Sequence, residues 1–167
     1  MKRLSSIIII AIIALVSMNA TAQSSTAEDC TIPYEELVNM IVTSAHWSEN
    51  NLSEMGLTKI GSMSYEEEFG ECSIFAYGKN VKGEITEDWQ VELSADGAHA
   101  YAIVVQLTTD NGTALYFKEK EDHDAFMSCL RQSSEYRQDE YDEIIGDTLI
   151  EHDEYLNGWY VIKFHVG

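Results

Sequence analysis

Tight glycine-containing turns join most of the neighbouring apolar segments of this chain. Asp96-Gly97, Asp110-Asn111-Gly112 and Asn157-Gly158 each carry residues that favour a hairpin turn. Parallel strands need long crossover connections, whereas antiparallel strands can be joined by turns as short as these. The sequence therefore predicts an antiparallel sheet as the framework of the fold.

Two amphipathic segments interrupt this series of strands. The first is predicted to be a helix over 33–55, because Pro33 suits a first helical turn and Gly56 suits the position after the last. The second helix is predicted to begin at Asp122 and to end at Gly146, and its polar middle is a candidate break near Gln138. The predicted fold class is α+β: an antiparallel sheet of about seven strands with two helices packed on one face, in the order α-β-β-β-β-β-α-β-β. The predicted strands are 57–68, 72–79, 89–93, 100–107, 113–118, 148–150 and 159–166.

Residues 31–79 and 121–167 share an order of predicted elements, a helix followed by a glycine and a pair of strands. Gly56 and Gly146 occupy corresponding positions, but the two segments have almost no identical residues. An internal duplication and a coincidence of common α-β packing are both compatible with this order.

The first 22 residues have the three parts of a secretory signal peptide. Lys2 and Arg3 precede the apolar run 7–16, and Ala20-Thr21-Ala22 follows as a cleavage site. A membrane anchor is the alternative, but the run is about ten residues long and a bilayer span needs about 20. We therefore predict a cleaved signal peptide over 1–22, a polar leader over 23–29, a single domain over 30–167 and a secreted or periplasmic location.

The chain has three cysteines, and export would place them in an oxidising compartment. Cys30 precedes the first predicted helix, and Cys72 follows the turn at Phe69-Gly70. The predicted helix and the strand that returns beneath it have similar lengths, so these two cysteines should lie close together. The sequence predicts a Cys30–Cys72 disulfide and leaves Cys129 as a small buried apolar residue.

The formal net charge of the chain is −19, from 29 acidic and 10 basic residues. The predicted signal peptide contains two of the cations and no acid, so the exported protein is more acidic still. This charge excludes binding to the phosphates of nucleic acids and disfavours anionic membranes. It favours a basic protein or peptide as the partner, although acidic runs also form ordinary solvated surfaces.

Aromatic residues are abundant in the predicted strands. If both helices cover one face of the sheet, the other face stays open, and aromatic side chains on it could bind a partner. The alternative is that these side chains fill the core between helices and sheet. The candidate binding residues are Phe75, Tyr77, Tyr101, Tyr160 and Phe164.

Two short clusters combine histidine with carboxylates: Asp122 with His123, and Glu151 with His152 and Asp153. Neighbouring residues on one element do not converge on one ion, so either cluster would need ligands from elsewhere. Binding of a divalent metal ion, for example calcium, is therefore an alternative function. Solvated charges at a helix start and a hairpin are the other interpretation.

The sequence contains no G-x-S-x-G motif, no catalytic-cysteine signature and no glycine-rich phosphate loop. We therefore predict no cofactor and a non-enzymatic function, a secreted binding or inhibitor-like domain with an aromatic sheet face and an acidic rim. A small carboxylate-dependent hydrolase is the second alternative, since two of the many acids can meet in space.

Overall fold

A computed structural model of the chain describes residues 32–43, 47–67, 70–107 and 112–166. These residues fall within one unit, Thr31–Gly167. The predicted signal peptide, the leader over 23–29 and Cys30 lie outside the described residues, so they stay predictions. Within the described part of the chain, no helix has the length and apolarity needed to cross a membrane.

The described residues form three helices and ten strands. The helices are α1 (Tyr34–Val42), α2 (Glu49–Glu54) and α3 (Lys120–Arg131). The strands are β1 (Thr58–Glu67), β2 (Gly70–Lys79), β3 (Val81–Ile85), β4 (Val91–Ala95), β5 (Tyr101–Leu107), β6 (Gly112–Phe117), β7 (Tyr136–Gln138), β8 (Glu143–Ile145), β9 (Thr148–Leu156) and β10 (Trp159–Val166).

Eight of the strands make one antiparallel sheet, in the order β1-β2-β5-β6-β10-β9-β8-β7. The remaining two, β3 and β4, pair only with each other as a separate hairpin. The α+β class and the antiparallel sheet are confirmed. The strand number and order differ from the prediction, because β3, β7 and β8 were not expected.

The first predicted helix is two helices, since α1 ends at Val42 and α2 begins at Glu49. Ser48 caps α2 by accepting a hydrogen bond from the Asn51 N–H at 3.2 Å, and such a cap starts a new helix. Gly56 follows with a φ of +78°, as a glycine after a helix end does.

The second predicted helix ends at Arg131 rather than at Gly146. The polar residues after Arg131 lack the apolar stripe that would hold a helix against the sheet. The chain instead forms the short strands β7 and β8, and Gly146, with a φ of +60°, makes the turn from β8 to β9.

All three helices pack on the same face of the large sheet, and together they enclose the main core. Side chains alternate between the faces of a strand, so this face receives every second residue of β2, β5, β6 and β10. The fully buried members of this core include Leu37, Leu52, Ile103, Leu115, Phe117, Phe126, Leu130 and Ile162.

The opposite face of the sheet is partly covered by the β3–β4 hairpin. Two smaller apolar clusters lie between them, one around Ile74, Ala76 and Val104 and the other around Ala100, Trp159 and Val161. The fold therefore has three layers: helices, a large sheet and a narrow hairpin.

The two segments considered as a duplication lie on opposite sides of the central β5–β6 hairpin. β1 and β2, with α2 packed against them, flank it on the β5 side, and β9 and β10 lie on the β6 side, where α3 contacts β6 and β10. Packing alone can produce this arrangement, so the duplication stays a prediction.

Asp122 connects three separate elements beneath the surface. Its side chain is 7% exposed and accepts a hydrogen bond from the Tyr34 hydroxyl of α1 at 2.9 Å. The Nδ1 atom of His99, in the β4–β5 connection, lies 3.0 Å from the same carboxylate oxygen. Burial and the nearby Asp122 carboxylate raise the pKa of Tyr34, so the hydroxyl keeps its proton and remains a donor.

We predict that Asp122→Ala lowers the free energy of unfolding by about 2 kcal/mol, because it leaves the Tyr34 hydroxyl without its acceptor. Tyr34→Phe, which removes one hydrogen bond, should cost about 1 kcal/mol. Asp124→Ala on the same helix removes an exposed carboxylate paired with Lys120 and should cost about 0.5 kcal/mol or less. Urea denaturation measures all three, and equal losses for Asp122→Ala and Asp124→Ala would contradict the role of Asp122.

Hydrogen bonds from Lys59 and Tyr77 lower the pKa of Glu49 below its ordinary value of 4.5. The folded state therefore releases this proton more readily than the unfolded state, and its stabilisation is complete above pH 4.5 and lost as the pH falls through the lowered pKa. We expect Glu49→Gln to reduce stability at neutral pH by less than about 1 kcal/mol, since the site is half-exposed. Urea denaturation of both proteins across acidic pH should show this difference disappearing, and a difference that grows on acidification would be the opposite result.

Candidate binding groove

The predicted aromatic binding residues lie on the face of the sheet that the helices cover. Phe75, Tyr77, Tyr101 and Phe164 are between 1% and 5% exposed, and Tyr160 is half-buried against the same core. Their placement on an open face is therefore wrong.

Packing contacts explain this location. Tyr101 stacks on Phe117 with 6.5 Å between ring centroids, and the Tyr77 hydroxyl donates to Glu49 of α2 at 2.7 Å. Phe164 meets Phe126 of α3 edge to face at 6.4 Å. The alternative given with the prediction, that these rings fill the core between helices and sheet, is the arrangement found.

The candidate metal ligands do not converge in the described part of the chain. Asp122 is engaged by Tyr34 and His99, and the ring of His123 lies 6.3 Å from Phe117 and 5.8 Å from Tyr160. Among the described residues, no group of three His, Cys, Asp or Glu side chains could hold a metal ion.

The Oε2 atom of Glu151 lies 3.2 Å from Nε2 of His165. The side chains of His152 and Asp153 are outside the described ones, so metal binding there stays a prediction.

The cysteine prediction is also untested, because Cys30 is not described. Cys72 is buried on β2, and no disulfide joins the cysteines that the structure describes. Cys129 is half-buried on α3, where burial raises the pKa of its thiol and keeps it protonated at neutral pH.

An open groove lies on the other face of the sheet, beside the β3–β4 hairpin. The hairpin turns Val81, Ile85, Val91 and Leu93 toward the sheet, where they join the two smaller apolar clusters. A hairpin of two strands is too narrow to cover a sheet of eight, and the uncovered part over β6 and β10 forms the groove.

The groove has a volume of about 430 Å³, and a second cavity of about 310 Å³ continues it along β4. Its apolar lining consists of Ile74, Trp89, Val91, Val104, Ala114, Tyr116, Leu156 and Phe164. Its polar lining includes Gln90, Gln106, Thr113, Asn157, Lys163 and His165. Aromatic and aliphatic side chains with a few amide and charged groups are the chemistry of a binding site.

Trp89 is held at one wall of the groove by the hairpin turn. The backbone N–H of Trp89 donates to the Thr86 carbonyl at 2.9 Å, and the backbone N–H of Gln90 donates to the Thr86 hydroxyl at 3.2 Å. Trp89 has a φ of +63°, which is unusual for a bulky residue and indicates that the surrounding contacts impose it. The turn thereby packs the indole against the cluster of Ile74 and Val104.

The middle of β4 is fixed to β10 through Trp159. The Trp159 Nε1–H donates to the Leu93 carbonyl of β4 at 3.4 Å. Lys118 Nζ lies 5.5 Å from the Trp159 ring and donates to the Gly158 carbonyl at 2.9 Å. The hairpin is therefore fixed beside the groove by contacts at its turn and at the middle of β4.

Charges of both signs border the groove. Glu92 lines the cavity along β4, while Lys163 and His165 lie on the floor. Glu151 faces Lys163 across the β9–β10 pair and contacts His165, so a carboxylate lies beside the Lys163 ammonium and the His165 ring.

Trp89, Gln106 and Tyr116 are not among the binding residues predicted from the sequence. The available signal was the alternation of Ala114 and Tyr116 with Leu115 and Phe117, which places apolar residues on both faces of β6. Alternation alone does not say which of two apolar faces the helices cover.

Neither protein-family models nor curated proteins nor solved structures give a significant match to this chain.

We predict that Gly83→Ala disrupts the hairpin wall of the groove. A Cβ atom at Gly83 would overlap the carbonyl oxygen of Glu92 on the paired strand, so the two strands would have to move apart. The expected loss in the free energy of unfolding is about 1–3 kcal/mol, with a changed near-UV signal from the tryptophans that contact the hairpin.

Gly112→Ala is the matched control, because its nearest neighbour would be the Phe164 carbonyl oxygen at an ordinary 3.6 Å. A Gly83→Ala protein as stable as Gly112→Ala, with an unchanged near-UV spectrum, would show that close strand approach at Gly83 is not required.

Proposed function

We propose that this protein is a secreted, non-enzymatic binding protein, inhibitor-like in its mode of action, which recognises a basic protein or peptide. The observation that carries the proposal is the open groove beside the β3–β4 hairpin on a chain with a net charge of −19. Export is part of the proposal and depends on the predicted signal peptide over 1–22.

The form of the groove supports binding. Its volume of about 430 Å³ lies within the range of ligand pockets, and it is lined by apolar groups with amides at intervals. Tryptophan and tyrosine are the residues that most often dominate binding energy at protein interfaces, and Trp89 and Tyr116 are both half-buried there. Each can therefore bury further surface against a partner.

The charges around the hairpin support a basic partner. Glu84 and Glu92 are exposed and directly opposite each other in the β3–β4 register, where two like charges repel. Glu87 and Asp88 are exposed in the turn of the same hairpin. Cationic groups of a partner would relieve this repulsion, and the charge of the whole chain would accelerate their approach.

The proposal predicts that the charge at position 106 controls affinity. Gln106 lines the groove and is exposed, so Gln106→Lys and Gln106→Glu leave the core unchanged. Binding of the purified protein to a lysine–valine peptide and a glutamate–valine peptide is measured by calorimetry at two salt concentrations. The unmodified protein should prefer the lysine peptide and lose affinity as salt rises.

Gln106→Lys should weaken binding of the lysine peptide by about threefold to tenfold, and Gln106→Glu should tighten it. Gln138→Lys adds the same charge at an exposed position on β7, outside the groove, and should change affinity less than about twofold. Equal effects at positions 106 and 138, or no preference for the lysine peptide at low salt, would contradict the proposed function.

A further inference from the structure

We infer that the segment bound in the groove is an extended strand of the partner, which pairs through its main chain with the outer edge of β4 and alternates apolar with basic side chains. This inference rests on the proposed function and specifies how the basic partner is recognised. It is β-strand addition, in which main-chain hydrogen bonds supply affinity and alternate side chains supply specificity.

The hydrogen bonds at the two ends of the hairpin show which groups of β4 face outward. Asp96 N–H donates to the Asn80 carbonyl at 2.7 Å, and Thr86 N–H donates to the Gln90 carbonyl at 2.8 Å. In an antiparallel pair, hydrogen-bonded residue pairs alternate with pairs that are not bonded to each other. Glu92 is therefore bonded to β3, while the N–H and C=O groups of Val91, Leu93 and Ala95 point away from it.

This outer edge is open to another strand. Within the part of the chain that the structure describes, β4 pairs with β3 alone. Of the outward carbonyl groups, that of Leu93 accepts a long hydrogen bond of 3.4 Å from the Trp159 indole. An incoming N–H of a partner strand could share or replace this bond.

The length of the groove suits an extended chain. Its lining extends from Leu156 and Asn157, beside one end of β10, to His165 at the other end. The strand between them is about 20 Å long, and an extended partner segment of about six residues has the same length. The wall along this path is β4, so the path and the open edge are adjacent.

The register of β4 also determines the side chains that such a strand would carry. Val91 and Leu93 face the sheet, whereas Glu92 faces solvent. A neighbouring strand follows the same alternation, so half of its side chains would enter the apolar groove near Tyr116 and half would lie beside Glu92. Apolar residues fit the first set, and lysine or arginine fits the second.

The test uses the purified protein and a peptide of about eight residues that alternates lysine with valine, which is long enough to fill the groove. Two derivatives carry N-methyl groups on complementary sets of alternate residues, because successive N–H groups of a strand point to opposite sides. Affinities are measured by calorimetry. One derivative should bind about tenfold or more weakly than the parent peptide, and the other should bind within about threefold of it.

Equal affinities of the two derivatives would overturn edge pairing while leaving the proposed function intact, because the basic peptide would still bind. Binding of disordered or helical lysine-rich peptides in preference to the lysine–valine strand would overturn it in the same way. Failure of every basic peptide to bind at low salt would contradict the proposed function itself. A second copy of this chain is the other possible occupant of the β4 edge, and sedimentation of the protein without peptide tests for it. A stable dimer whose formation competes with peptide binding would assign the edge to that second copy.

Discussion

The central strand β5 is apolar on both faces, so a layer of structure must pack on each face of the sheet, and most of the architecture follows from this requirement. Tyr101, Ile103 and Val105 point toward the helices, while Ala102 and Val104 point the other way, and all five are buried. An antiparallel sheet with one polar face needs one covering layer, but a strand of this kind needs two. The helices provide one cover, and the β3–β4 hairpin provides the other.

The two covers differ in width, and this difference creates the groove. Three helices share one core across the helical face of the sheet, whereas two short strands occupy the opposite face. Trp89 and Trp159 fix the hairpin at its turn and at the middle of β4, so the uncovered area beside it has a defined shape. The candidate site is thus the part of the second face that the hairpin leaves uncovered.

This arrangement places part of the negative charge of the chain on the hairpin beside the groove. Acidic side chains occur over much of the surface, and many of them are ordinary solvated groups. Glu84, Glu87, Asp88 and Glu92 are different because they lie on the hairpin that forms the wall of the groove. Their position on this wall connects part of the net charge to the groove that is proposed to bind a basic segment.

The sequence was sufficient to predict the fold class, because glycine turns and alternating strands are local signals. It placed the aromatic site on the wrong face, since β2 carries Phe75 and Tyr77 on one side and Ile74 and Ala76 on the other. Both sets are apolar, and only tertiary packing decides which of them meets the helices. The strand β3 was missed because Gly83, needed for close approach to Glu92, interrupts its pattern.

The central claim is that the groove, rather than the helical side of the protein, binds a basic segment. An NMR titration with the lysine–valine peptide tests it most directly, because amide chemical shifts report the location of contact residue by residue. The predicted result is a set of saturable shifts at Val91, Gln106 and Tyr116, with the amides of α1 and α3 unchanged. Shifts concentrated on α1 and α3, with β4 and β6 unaffected, would contradict it.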